Sequence, residues 1–126
     1  MKIGHAVAFA TLVGAAFGGL AIQALHAQAK PPAYLVAEID VTDADLYKQY
    51  LDKGGPLYAQ FAGRFIARGG KVDVFAGEPP KRAIVAIFDS MEKAQAFRDS
   101  PAYNELIPLR DKASKFRAYI VEGLAN

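Results

Sequence analysis

The chain has 126 residues, enough for one domain of ordinary size, and it carries 15 Lys and Arg residues against 13 Asp and Glu residues. This near-balance of charge, with no basic run, excludes nucleic acid as an expected partner. Both histidines, His5 and His26, lie near the N-terminus, and the chain has no cysteine. We therefore expect no disulfide, no thiol nucleophile, no metal site and no cofactor.

The N-terminal segment is typical of an export signal. Lys2 precedes an uncharged stretch over residues 6–25, and the small-residue sequence Ala27-Gln28-Ala29 follows. This pattern predicts a cleaved signal peptide over residues 1–29, a mature domain over residues 30–126, and a periplasmic or secreted protein. The alternative is an uncleaved membrane anchor, since about 20 apolar residues can span a bilayer.

The first half of the mature domain predicts one strand followed by two helical segments. Residues 34–41 alternate between apolar and polar side chains, which is the period of a half-buried strand. Thr42 and Asp45 form the pattern of a capping box and predict the start of a helix. The sequence Gly54-Gly55-Pro56 should interrupt that helix, and the apolar stripe resumes at Tyr58 in a second segment.

The second half predicts four further strands, two of them joined in a hairpin, and another helical region. Residues 64–77 suggest a strand, a Gly-Gly turn and a strand, and residues 82–89 suggest a central strand. Ser90 and Ser100 are candidate helix caps, and residues 116–123 predict the last strand. The order β-α-β-β-α-β predicts an α+β, ferredoxin-like fold, whose antiparallel sheet carries its helices on one face.

The other face of this sheet needs a cover. We predict a helix-facing set of Leu35, Ala37, Ile39, Ala83, Val85, Ile87, Ala118 and Ile120. The predicted opposite set is Tyr34, Val36, Glu38, Arg82, Ile84, Ala86, Phe88, Arg117, Tyr119 and Val121. Because this set is too apolar for water, we expect a homodimer whose two sheets enclose a partly polar cavity as a dimeric α/β-barrel. Alternatively, the alternation is off by one residue and the faces exchange.

The stretch "DSPAYNELIPLRDKAS", residues 99–114, has an unusual pattern. Ser100-Pro101 is a good helix start, yet Pro108 falls where that helix should continue. Ser100, Tyr103 and Arg110 are spaced to share one helix face. We interpret the segment as one wall of a pocket, bent at Pro108. The alternative is that Tyr103 and Arg110 only fasten the helix to the sheet.

Three stretches in order carry a resemblance to a known family: "AGRFIARGGKVDVFAGEPPKRAIVAIFDS", "EKAQAFRDSPAYNELIPLR" and "AYIVEGL". The mature domain resembles the bacterial family called domain of unknown function 1330, although Ala62-Gly63 stands here where the family has a double glycine. The family is similar in fold to dimeric α/β-barrel proteins, which include antibiotic-biosynthesis-type monooxygenases and haem-degrading enzymes. The resemblance implies ferredoxin-like protomers that dimerise through their sheets, and it implies no particular reaction.

The resemblance places the family's recurring polar positions on Tyr50, Arg68, Gly69, Gly70, Arg82, Ser100, Tyr103 and Arg110. The two glycines are expected to supply a turn with positive φ, and Ser100 a helix cap. We take Tyr103, Arg110 and Arg82 as the main ligand-binding candidates, with Arg68, Ser100 and Tyr50 beside them. Arg82 either pairs with Glu38 to close the barrel or holds a ligand carboxylate or phenolate.

Three functions remain open at this point. One of them is a dimer without a cavity that only offers an interaction surface. Another is a binding module for a small, partly apolar, anionic or phenolic molecule. The third is a cofactor-independent oxygenase, isomerase or lyase acting on an aromatic substrate, with Tyr103 or Glu38 as acid or base. Haem degradation is disfavoured because the mature domain has no histidine to bind iron.

Overall fold

A computed structural model describes residues 30–125. The predicted signal peptide lies outside the described residues. Among the described residues, none of the helices has the length and apolar character needed to cross a membrane. The elements follow in the order β1 (Ala33–Val41), α1 (Ala44–Gly54), α2 (Leu57–Gln60), β2 (Gly63–Arg68), β3 (Arg82–Phe88), α3 (Met91–Asp99), α4 (Pro101–Asn104), α5 (Ile107–Ala113) and β4 (Ser114–Glu122).

The four strands form one sheet in the order β2-β3-β1-β4. All three neighbouring pairs are antiparallel. The two longest strands lie side by side, with Ala37 of β1 opposite Ala118 of β4. This strand order and the helices between the strands confirm the predicted α+β, ferredoxin-like fold.

The core lies between one face of the sheet and the helices. Leu35, Ala37 and Ile39 of β1 are buried there, as the sequence predicted, and Phe97 of α3 is 1% exposed. An aromatic cluster fills much of this layer, with the rings of Tyr58 and Phe97 4.3 Å apart at their centroids. Burial of these rings is a main source of stability in a domain of this size, which has no disulfide.

The side chains of β3 lie on the faces opposite to those predicted. Ile84, Ala86 and Phe88 are the buried residues of β3. The ladder pairs Ala86 with Leu35 and Ile84 with Ala37, so these residues share the helix-covered face. Because residues directly opposite in a sheet share a face, the prediction for β3 was shifted by one residue. A nearly continuous apolar run has no alternation from which the face could be read.

The predicted hairpin over residues 64–77 is also only half formed. Strand β2 ends at Arg68, and residues 69–81 form an exposed loop that contains no strand. Strand β2 instead pairs directly with β3, with a bulge between Phe65 and Ala67. Gly69 has a φ of +70°, so the predicted turn with positive φ is present.

The helix boundaries mostly follow the predicted signals. The Ser90 and Ser100 hydroxyls accept hydrogen bonds from the backbone amides of Lys93 and Tyr103, which confirms both caps. Helix α1 is capped by Asp43 rather than by Thr42. Helix α1 ends at Gly54 and α2 begins at Leu57, as the Gly-Gly-Pro sequence predicted.

Pro108 does not kink a continuous helix. It lies in the first turn of the separate helix α5, where a proline removes no helical hydrogen bond. Helix α4 ends at Asn104, and α5 begins at Ile107. The chain therefore turns between Tyr103 and Arg110 and brings their side chains together from two short helices.

Candidate functional site

A cavity of about 330 Å³ lies between the sheet and the helices of a single chain. Its walls come mainly from the helix-covered face of β1 and β4 and from four helices, and Tyr119 of the uncovered face adds to the wall at β4. The lining residues are Leu35, Tyr58, Phe97, Arg98, Tyr103, Arg110, Phe116, Ala118, Tyr119 and Ile120. Ala118 is on the helix side of β4 and is nevertheless exposed, so the helices leave this part of the strand open. The cavity is therefore accessible from solvent along β4.

This cavity is not the predicted one, which requires a second copy of the chain and stays a prediction. The sequence placed the cavity between two facing sheets, which is the side of the sheet without helices. The structure places the cavity on the helix-covered side, within one protomer. The reason is that α3, α4 and α5 are short and leave part of β4 uncovered.

Tyr103 is the central polar group of the cavity wall. It is 7% exposed and is held at the start of α4 by the Ser100 cap. The Ser100 hydroxyl accepts from the Tyr103 amide at 3.2 Å and donates to the Phe97 carbonyl at 2.9 Å. Ser100 thus joins the end of α3 to the start of α4 and sets the position of the tyrosine.

Arg110 reaches Tyr103 from α5. Its Nη1 donates to the Tyr103 hydroxyl at 3.3 Å, and its Nε donates to Asp111 at 3.0 Å. Its guanidinium carbon lies 4.8 Å from the centroid of the Phe116 ring. Burial lowers the pKa of Arg110, but the hydrogen bonds from the guanidinium to Tyr103 and Asp111 outweigh burial and raise it. The side chain is therefore a fixed cation at the cavity wall.

Tyr50 of α1 is the third polar residue of this group, beside Tyr103 and Arg110. Its hydroxyl lies 2.9 Å from the Tyr103 hydroxyl, and its ring packs edge-on against Phe116. Burial raises the pKa of Tyr50 far above that of an ordinary tyrosine, and the nearby Tyr103 adds to the rise. Tyr50 therefore keeps its proton at all physiological pH values.

The arrangement of these three residues can present a proton donor to the cavity. Arg110 has only donors, so the Tyr103 oxygen accepts from it. When Tyr50 also donates to that oxygen, both of its lone pairs are engaged and the Tyr103 proton is free. A ligand oxygen in the cavity would then accept from Tyr103 beside the positive charge of Arg110.

Two other predicted residues lie outside this group. Arg82 and Arg68 are on the same helix-covered face, but over β3 and β2 rather than over β4. Arg82 is opposite Ile39 of β1, and Ile39 is opposite Phe116 on its other side. Arg82 is thus two strands from Phe116, about 10 Å by the usual strand spacing. The structure separates the predicted binding residues into two clusters.

Glu38 does not face Arg82. It lies on the uncovered face, where its Oε2 is 3.0 Å from the Nε of Arg117. The predicted pair between Arg82 and Glu38 is therefore not formed, because the two side chains project from opposite sides of the sheet. The same placement puts Glu38 on the opposite side of the sheet from Tyr103 and Arg110.

Sequence reasoning missed the aromatic walls of the cavity. Tyr58, Phe97 and Phe116 were interpreted only as core or strand residues, yet all three line the cavity. The Tyr58 hydroxyl makes no hydrogen bond within residues 30–125, and burial raises the pKa of this phenol. A usable signal was the concentration of tyrosines on the buried stripe of α1 and α2. A buried hydroxyl normally has a polar partner, so several buried tyrosines together indicate a polar site beside the core.

The fold and the site define a ferredoxin-like α+β protein with a cavity between its sheet and its helices. The model of the family called domain of unknown function 1330 matches residues 32–124. The chain therefore belongs to this family. No curated protein matches the chain significantly.

Several solved structures share the fold at low sequence identity. The protein of unknown function RPA0582 from Rhodopseudomonas palustris has a TM-score of 0.61 at 16% identity, over 77% of this chain and 85% of that one. A dimeric ferredoxin-like protein of unknown function from Thermobifida fusca has a TM-score of 0.54 at 18% identity, over 75% and 92%. SnoaB from Streptomyces nogalater, a cofactor-independent oxygenase, has a TM-score of 0.52 at 10% identity, over 76% and 96%.

Proposed function

We propose that this protein is a binding module for a small, partly apolar molecule that carries a phenolic or anionic oxygen. The ligand occupies the cavity between the sheet and the helices. Its apolar part packs on Tyr58, Phe97 and Phe116, and its oxygen meets Tyr103 and Arg110. The observation that carries this proposal is the hydrogen-bonded pair of Tyr103 and Arg110 in the wall of a cavity lined largely by aromatic and aliphatic side chains, with Tyr50 behind Tyr103.

The size and chemistry of the cavity support this class of ligand. A volume of about 330 Å³ is at the lower end of the range for small-molecule sites. Aromatic walls favour a flat, apolar ring, and a guanidinium beside a phenol favours an oxygen with negative charge. Among residues 30–125 the lining includes no carboxylate, so an anionic ligand meets no like charge from these residues in the wall.

Calorimetric titration with 4-hydroxybenzoate, a planar phenol with a carboxylate, tests the proposal. We expect saturable binding. Arg110→Gln should weaken it by about 10- to 100-fold, since a charged hydrogen bond contributes about 1.5–3 kcal/mol. Tyr103→Phe should weaken it by about 3- to 10-fold, because one neutral hydrogen bond is lost.

Arg98→Gln is the matched control for this titration. Arg98 also lines the cavity, but it is 55% exposed and bonds only its neighbour Asp99. This change should leave the affinity nearly unchanged. Absence of binding in the wild type, or an equal loss in all three variants, would overturn the proposal.

A homodimer is part of the proposal. The uncovered sheet face carries a central apolar patch that includes Tyr34, Val36, Val85 and Ile87, and Tyr119 and Val121 of β4 are about half exposed. Such a face on a small domain favours a protein partner, and a second copy supplies the same patch by twofold symmetry. The structural neighbour from Thermobifida fusca is described as dimeric, which supports this assembly.

A cofactor-independent enzyme is the second candidate function. It is favoured by the proximity of the Tyr103 hydroxyl to a fixed cation, since this pair could donate a proton and stabilise an oxyanion. The likeness of the fold to SnoaB, a cofactor-independent oxygenase, is consistent with it. The discriminating result is a Tyr103→Phe variant that still binds an aromatic ligand but no longer converts it, followed by mass spectrometry.

Export to the periplasm or the cell exterior, by cleavage after Ala29, completes the proposal. Native mass spectrometry of the protein purified from its own host tests it. The measured mass should correspond to a chain that begins at Lys30. The same spectrum reports the number of subunits and any small molecule that the protein retains.

A further inference from the structure

A second polar cluster lies on the helix-covered face, over β2 and β3. We propose that Arg82, Arg68 and the hydroxyl of Tyr47 form a binding site for a small oxyanion, such as a carboxylate or phosphate group. This site is separate from the cavity at Tyr103 and does not depend on the function proposed for that cavity.

Arg82 is held in place by packing rather than by a partner charge. An added Cβ at Gly69 would lie 2.3 Å from the Nη1 of Arg82, so the guanidinium rests directly against the glycine backbone. The guanidinium carbon is 5.6 Å from the centroid of the Tyr47 ring. Gly69 has a φ of +70°, a conformation that glycine adopts without strain. The backbone thus makes room for a fixed guanidinium beside Tyr47.

The polar groups of this cluster lack partners. The Nε of Arg82 and the hydroxyl of Tyr47 are buried and make no well-aligned hydrogen bond among the described residues. The Arg82 guanidinium lies close enough to the Tyr47 oxygen to oppose the rise in the pKa of Tyr47, and this leaves the Tyr47 proton free for an acceptor. Tyr47 itself is 5% exposed. A buried donor without an acceptor costs about 1–3 kcal/mol, so binding an acceptor at this cluster would be favourable.

The cluster also carries an excess of positive charge. Neither Arg82 nor Arg68 forms an ion pair within residues 30–125. Arg68 is opposite Ile84, and Arg82 is two residues from Ile84 on the same face. Diagonal neighbours of this kind have Cα atoms about 7–8 Å apart, within reach of one shared anion. The acids Asp40 and Glu38 project to the other face and pair with Lys81 and Arg117.

The chemistry of these donors selects an oxyanion. A guanidinium presents planar, paired N–H groups that match carboxylate and phosphate oxygens. Burial raises the pKa of Tyr47, against the opposing effect of Arg82 and Arg68, so its hydroxyl remains a neutral donor. One bound oxyanion would supply acceptors for both orphaned groups and balance the charge of both arginines.

Nuclear magnetic resonance of the arginine Nε–H groups tests this site directly. The wild-type protein is titrated with sodium phosphate and, separately, with sodium acetate, against sodium chloride at equal ionic strength. We expect a saturable shift of the Arg82 Nε–H signal with at least one of the two anions. The stronger of the two responses identifies phosphate or carboxylate as the preferred group. The Arg117 Nε–H, which lies beside Glu38 on the other face of the sheet, should not respond.

Two variants and one control complete the test. In the variants the response is followed at the backbone amide of Gly69, against which the Arg82 guanidinium packs. Arg82→Gln should abolish the saturable response at this amide, and Tyr47→Phe, which removes only a hydroxyl, should weaken it by about 3- to 10-fold. Lys93→Gln, which removes an exposed positive charge on α3, should leave the response unchanged. The proposal is overturned if neither anion acts differently from chloride, or if Tyr47→Phe and Arg82→Gln respond like the wild type. It is also overturned if Arg82→Gln loosens a dimer while no anion binds, since a carboxylate of a second copy would then be the partner.

Discussion

Ala62 is the one non-glycine residue with a positive φ among residues 30–125. Its φ is +60°, in the left-handed region, directly before β2. Glycine adopts such a φ without strain, whereas alanine does not. Gly63, the next residue, cannot be replaced by alanine, because an added Cβ would lie 2.5 Å from Phe88. The backbone at Ala62 is thus strained but tolerated, whereas packing against Phe88 requires a glycine at position 63.

We expect Ala62→Gly to stabilise the protein. Alanine in the left-handed region costs about 1–2 kcal/mol of strain, which glycine relieves. Glycine also makes the unfolded chain more flexible, and this entropy offsets about 0.5–1 kcal/mol of the gain. The free energy of unfolding should rise by about 0.5–1 kcal/mol in a urea titration. The control is Ala96→Gly on the exposed side of α3, which should lower it by about 1 kcal/mol. Equal losses in both variants would contradict the expected strain at residue 62.

The buried tyrosines predict how stability depends on pH. Burial raises the pKa values of Tyr47, Tyr50 and Tyr58 in the folded protein. In the unfolded chain these phenols lose their protons near pH 10, while the folded protein keeps them. Their contribution to stability is therefore complete below about pH 10 and is lost as the pH rises further.

The expected slope is measurable by urea unfolding between pH 9 and pH 11. Each retained proton lowers the free energy of unfolding by about 1.4 kcal/mol per pH unit above pH 10. Tyr50→Phe removes one of the three phenols. The decline of the free energy of unfolding with pH should therefore become less steep by about 1.4 kcal/mol per pH unit. An unchanged slope in this variant would show that Tyr50 does not keep its proton in the folded state.

At the scale of the elements, Ser100 joins α3 to α4 and so connects a helix boundary to the candidate site. Its hydroxyl caps α4 and also closes the end of α3 through the Phe97 carbonyl. Ser90 caps α3 at its other end and has no part in the cavity. The two serines perform the same local task, but only Ser100 positions Tyr103.

This difference predicts separable effects of two matched variants. Ser90→Ala and Ser100→Ala should each lower the free energy of unfolding by about 1–2 kcal/mol, since each removes a helix cap. Only Ser100→Ala should also lower the affinity for 4-hydroxybenzoate, by about 2- to 5-fold, because Tyr103 then loses its fixed position. The measurements are urea unfolding and calorimetry on both variants. A loss of affinity that is the same in both would mean that general loosening, and not the Ser100 link, controls binding.

At the scale of the whole molecule, the proposed dimer depends on the uncovered sheet face. Val36 of β1 and Val85 of β3 are directly opposite each other near the middle of this face. The Glu38–Arg117 ion pair lies beside them on the same face. A second copy that covered the face would bury the valines and leave the helix-side cavity of each protomer free.

We expect Val85→Lys to convert a dimer into monomers. A lysine at the centre of an apolar interface cannot be buried without a partner, so the dissociation constant should rise more than tenfold in sedimentation experiments. Gln95→Lys introduces the same residue on the exposed side of α3 and should leave the dimer intact. A wild-type protein that is monomeric at high concentration would remove the dimer from the proposal, while the cavity would remain.

The sequence by itself determined the fold class, the β-α-β-β-α-β order of elements along the chain and the main helix boundaries. These features depend on local signals: alternation in β1, the Ser90 and Ser100 caps, and the Gly-Gly-Pro interruption after α1. The sequence also suggested Tyr103 and Arg110 as neighbours, but two short helices rather than one shared helix face bring them into contact.

Only the tertiary structure decided where these residues act. The face of β3 depends on its register with β1, and register is set by partners that are distant in sequence. That register moved Arg82 to the helix side, left Glu38 with Arg117, and separated two polar clusters that the sequence had joined. The cavity depends on how much of β4 the short helices fail to cover, a quantity that no local pattern encodes.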